Sequence, residues 1–217
     1  MLRRALPRTL RMALGTTLAA TVLGALVASP LLAQTHEPDP TVSALVRALE
    51  RRMTVWRSPT GETVQYVGHC RAARGGCARR VTTFANLIGE ASGRHQLDPF
   101  LLAAVAVRES GLNPLAAGAA GERGIVQLHP RGSGSRARFV RSEAYRQRCS
   151  RTEGACQAEI LDIGARLLAR SIERCGSVRD GLGAYNRGEC GATSYTDRVM
   201  RERSILLRLA KRNSQDP

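Results

Sequence analysis

Lysine is almost missing from this chain: among 33 basic residues in 217, Lys211 is the one lysine and the rest are arginine. Aromatic residues are few, three Phe, four Tyr and one Trp, too few to offer a stacking platform for bases. No nucleic-acid reading motif accompanies the basic charge, so no nucleic-acid partner is expected. None of the six cysteines forms the close C-x2-4-C pair that structural zinc sites use, so a zinc site is not expected. Tandem repeats are absent and strand signal is scarce, which points to a helical fold.

The surplus of base over acid is large, +15 at neutral pH, and it persists without the four arginines that precede Met12. A surplus of that size attracts polyanions, which for an exported protein include acidic wall polymers, anionic membrane and lipopolysaccharide. Export is indicated by the start of the chain. Arg3, Arg4, Arg8 and Arg11 precede an apolar, small-residue run from Met12 to Val27, the layout of a secretory signal, with Ala33 before Gln34 as the cleavage point. Leu31 is not the preferred small residue three before that cut, so an uncleaved anchor is the alternative. The signal occupies 1–33, a linker and an N-terminal helix 34–57, and the main domain 58–217.

An even number of cysteines in an exported chain makes disulfides the default. Fifteen pairings are possible, and the economical one joins neighbours. Cys70 with Cys77 and Cys149 with Cys156 would each enclose six residues, and Cys175 with Cys190 fourteen. Apolar periodicity predicts helices from Thr41 to about Trp56, Arg79 to Arg94, Ala155 to Arg174, Arg179 to Tyr185 and Thr193 to Lys211, with a short strand at Thr63 to Val67. The Arg-rich stretch 131–148 reads either as a solvated loop or as a basic rim on a substrate groove.

One further helix organises the rest. Asp98 is a good N-cap, Pro99 suits the first helical position, and Gly111 and Pro114 stop the helix, bracketing Pro99 to Ser110. Leu102, Val105, Ala106 and Glu109 follow the spacing of one face, so a carboxylate closes the apolar stripe. On the helix alone it reads either as a last-turn Glu that snorkels to solvent or pairs with Arg108 or Arg123, or as a carboxyl on an apolar face. In the second reading burial would disfavour its charged form and raise its pKa toward the range a general acid requires. A Gly-rich loop follows, with Gly118, Gly121, Gly124 and then Gln127.

Three motifs carry a resemblance: Glu109-Ser110, then G-x-x-G-I-V-Q-L-x-P from Gly121 to Pro130, then A-Y-N-R-G from Ala184 to Gly188. In that order and spacing they resemble the soluble lytic transglycosylases, relatives of goose-type lysozyme. The resemblance implies a mainly α, lysozyme-like single domain, here stapled by disulfides. It implies an exported enzyme of the periplasm or cell envelope, without metal or cofactor, acting on the glycan strands of peptidoglycan at the MurNAc to GlcNAc β-1,4 bond.

It also implies Glu109 as first acid and then base, with Ser110, Gly124, Gln127, Tyr185, Asn186 and Tyr195 about the substrate. The product would be a 1,6-anhydro sugar. The chain departs from the family pattern at Ile125, Val126, His129 and Glu122. A second carboxylate at Glu122 near Glu109 would hold water and make the enzyme a hydrolytic lysozyme; its ordinary reading is an exposed loop residue paired with Arg123. A non-catalytic glycan-binding envelope protein is the alternative from another class.

Overall fold

In a computed structural model, residues 39–149 and 153–212 are described, and the signal segment 1–33 lies outside them. The chain enters through α1 (Pro40–Met53), where the Asp39 side chain accepts from the Thr41 N–H as the N-cap. The helix ends three residues short of the expected Trp56. Thr54, Val55 and Trp56 belong instead to β1 (Thr54–Arg57), paired antiparallel with β2 (Val64–Tyr66). β-branched and aromatic residues favour that extended backbone, and the Pro59 to Gly61 turn closes the hairpin.

The short α2 (Gly68–Arg71) leads into α3 (Cys77–Arg94), which buries Val81, Phe84 and Ile88. Next comes α4 (Pro99–Ser110). Its Asp98 cap accepts from the Phe100 N–H at 2.9 Å, and Gly111 ends it in the left-handed conformation. Every residue from Phe100 to Val107 is buried, so α4 is the central rod of the core. It lies between α3 and α9 (Ser194–Lys211). An Arg203 to Asp98 ion pair ties α9 to the α4 start.

The 131–148 stretch is not a solvated loop. It contains a 3-10 turn (Ser133–Arg136), α5 (Arg138–Arg141) and the start of α6 (Glu143–Cys149), with Ala137, Phe139 and Val140 buried. Several of its arginines serve the fold itself. Arg138 and Arg148 lie over the Tyr145 ring, and Arg146 donates to the Phe139 and Val140 carbonyls that α5 leaves open.

α7 (Glu153–Cys175) packs on α3 and on α8 (Val178–Arg187), which is capped by Ser177. α9 closes the domain with a Thr193/Thr196 capping box and packs against α1, where Arg52 pairs with the buried Glu202 at 2.6 Å. Three disulfides join Cys70 to Cys77, Cys149 to Cys156 and Cys175 to Cys190. The result is one mainly α-helical domain with a single hairpin among the described residues, consistent with a lysozyme-like fold. No described helix is long and apolar enough to cross a membrane.

Candidate active site

Glu109 leaves the last turn of α4 where that buried helix reaches a groove. The groove has a volume of about 710 Å³, and Glu109, Glu122, Gln127, Tyr185 and Asn186 are among its walls. Tyr195, in the first turn of α9, is buried and donates its hydroxyl to Glu109 Oε1 at 2.6 Å. Two forces therefore act on this carboxyl. Burial, joined by the nearby charge of Glu122, raises its pKa; the Tyr195 hydrogen bond and Arg108 oppose them, and the net direction is up.

The loop after α4 is folded on itself. The Gly118 N–H donates to the Glu122 carbonyl at 3.0 Å, and Arg123 and Leu128 exchange backbone hydrogen bonds at 3.2 and 3.0 Å. This tight turn brings Glu122 inward. Its half-buried carboxylate accepts from the Ala120 N–H at 3.0 Å and lines the groove, while the Arg123 guanidinium donates to the Glu122 backbone carbonyl. The expectation of an exposed Glu122 paired with Arg123 is thus corrected. Gly118 permits the approach, since a Cβ there would lie 2.2 Å from Glu122 Oε2.

The residues expected about the substrate divide into two groups. Gln127 and Tyr185 line the groove, but each also has a structural bond. The Gln127 amide donates to the Ala116 and Gly124 carbonyls, with its backbone at φ 48°, and the Tyr185 hydroxyl donates to the Val126 carbonyl at 2.9 Å. Burial, then the charge of Glu109, pushes the Tyr185 pKa upward. Asn186 is exposed on the groove wall.

Ser110 and Gly124 stand behind that surface. The Ser110 hydroxyl lies 2.8 Å from the Ile125 carbonyl, fastening α4 to the loop. Gly124 is buried with φ 85°, where a Cβ would come within 3.0 Å of Ile160 on α7.

One residue on which the site depends escaped the sequence reading. Gln157, buried in α7, accepts from the Ile125 N–H at 3.0 Å and donates to the Pro114 carbonyl at 3.3 Å, so it clamps both ends of the Gly-rich loop. Its signal was present. Gln157 stands three and four residues before Ile160 and Leu161, a polar residue on a core stripe that must find partners.

Comparison with known proteins places this geometry. Over 125 residues the chain is 31% identical to a protein named "Transglycosylase" from Enterobacteria phage PRD1, a match covering 55% of this chain and 42% of the phage protein. The chain therefore aligns with less than half of that relative. No solved structure matches. Residues 86–205 match the transglycosylase SLT domain. Because that segment begins within α3, ends within α9 and takes in the whole groove, the chain belongs to the transglycosylase SLT domain family.

Proposed function

We propose that the protein is an exported lytic transglycosylase that cleaves the MurNAc to GlcNAc β-1,4 bond of peptidoglycan and leaves a 1,6-anhydro-MurNAc end. The observation that carries this reading is the Glu109 carboxyl on the groove wall, its pKa raised by burial while the Tyr195 hydroxyl fixes its orientation. A carboxyl so placed keeps its proton until a leaving oxygen needs it.

Glu109 gives that proton to the glycosidic oxygen, and the GlcNAc side leaves as an alcohol. The carbonyl oxygen of the neighbouring 2-acetamido group bonds to C1 as the old bond breaks, forming a cyclic cation. Glu109, now a carboxylate, takes the proton of the same sugar's 6-hydroxyl. The 6-oxygen attacks C1, the acetamido oxygen leaves, and Glu109 returns to its starting state. The tethered hydroxyl has an effective concentration that for well-placed groups reaches about 10⁵ M or more, far above that of water.

The position of Glu122 favours a second reading. A carboxylate sharing the groove with the acid is the arrangement by which glycosidases activate water, and it would yield a reducing end. Digestion of purified sacculi followed by mass spectrometry separates the two, because the anhydro product is lighter by one water. Anhydro muropeptides from wild type, absent with Glu109→Gln, are the expected result. Reducing ends that fall sharply in Glu122→Gln would make the protein a hydrolase.

A further inference from the structure

Beside its two carboxylates, the groove presents Arg131, from the segment after Pro130, and Arg187, the last residue of α8. Both are exposed, and neither guanidinium has a hydrogen bond or ion pair among the described residues. Several arginines elsewhere are engaged, Arg52 with Glu202, Arg94 with Asp162, Arg179 with Asp197 and Arg203 with Asp98; what sets Arg131 and Arg187 apart from the other exposed ones is that both line this groove. His129, also in the groove wall, accepts the Arg131 backbone N–H on Nδ1 at 3.2 Å, which fixes the start of that segment. Two unpaired planar donors from separate elements, facing one groove, suit a carboxylate ligand.

Resting on the reading that this groove takes peptidoglycan glycan, we propose that Arg131 and Arg187 bind the carboxylate that muramic acid carries through its 3-O-lactyl substituent. They make the protein selective for muramic-acid strands over the neutral β-1,4-linked GlcNAc polymer. Both polymers offer the same 2-acetamido sugars and differ here in charge. The Glu122 carboxylate repels an anion, so the ligand carboxylate is drawn to the arginines and the strand is oriented in the groove. The carboxylate has two sources. In intact strands it belongs to the stem peptide, and in strands stripped by an amidase it is the free lactyl group.

The test measures the affinity of full-length protein carrying Glu109→Gln, to prevent turnover, for three soluble ligands: peptide-bearing strands, stripped strands and chito-oligosaccharides of equal length. The preference for the acidic ligands over chito-oligosaccharide should fall about tenfold or more in Arg131→Gln/Arg187→Gln, the loss expected from charge-assisted hydrogen bonds. The ligand that loses more affinity identifies the source. As a control for net charge, Arg166→Gln/Arg170→Gln on α7, outside this groove, should retain the preference.

An undiminished preference in the groove variant, or an equal fall in the control, would overturn the proposal. Failure of the parent to bind any of the three would instead overturn the glycan reading on which it rests.

Discussion

Glu109 holds its carboxyl largely out of water, and the direction of its pKa shift makes stability depend on pH. Below the ordinary carboxylate range it is protonated in both folded and unfolded chains. As pH rises through that range the unfolded chain releases its proton first, so folding stability is progressively lost until the pH passes the raised folded value. Glu109→Gln has no such proton. Its melting temperature should therefore match wild type in acid and exceed it increasingly toward neutral pH, while lytic activity disappears. Thermal scans between about pH 4 and 8 read the difference, and a constant offset would mean that the carboxyl is not held protonated. The neighbours of Glu109 act on it with opposite sign. Glu122→Gln removes a negative charge that raises the Glu109 pKa, so the alkaline limb of the activity profile should move to lower pH. Tyr195→Phe removes a hydrogen bond that favours the carboxylate, and its residual activity should show that limb at higher pH. Shifts of the same sign in both variants would contradict this geometry.

Elements place those residues, and the Gly-rich loop depends on α7 more than on its own sequence. Replacing Gln157 by Leu keeps the apolar stripe but leaves the Ile125 N–H and the Pro114 carbonyl buried without their partner. Two orphaned groups at about 1–3 kcal/mol each give an expected loss of about 2 kcal/mol or more, visible in denaturant unfolding. KM for soluble glycan should rise as well, because Gln127 and Glu122 ride on that loop. Stability and KM both within error of wild type would show that the loop holds itself. What could be read from the sequence differs between these elements for physical reasons. The bounds of α4 were legible because Asp98, Pro99 and Gly111 act locally, through caps and backbone preference. The inward turn of Glu122 was not, because it arises from a backbone turn that brings Gly118 and Ala120 to the carboxylate. The helices at 138–149 were hidden for another reason: four to seven residues are too few to show a period, and their burial comes from tertiary contact.

At the scale of the whole molecule, periodicity gave a helical domain and the even cysteine count gave a disulfide framework, whereas α1 was read too long because the pairing of β1 with β2 overrides the local pattern. The three disulfides are all local in sequence, and chain entropy makes them nearly equal in stability. On that account the two short loops contribute about 2.5 kcal/mol each and the longer one about 3 kcal/mol, too close to rank by unfolding alone. Their relation to the groove does distinguish them. Cys175 ends α7 and Cys190 follows α8, so their bond holds both ends of the segment that carries Tyr185, Asn186 and Arg187. Cys70 and Cys77 join α2 to α3 and do not line the groove. Cys175→Ser/Cys190→Ser and Cys70→Ser/Cys77→Ser should thus lose similar stability but differ in function. The first should lose activity at temperatures well below its own melting point, as the A-Y-N-R-G segment loosens, and the second should keep most of its activity until it unfolds. Activity and circular dichroism followed on the same temperature ramp decide the matter. Coincident loss of both signals in the first variant would show that packing of α8 on α7 holds the groove wall without the disulfide.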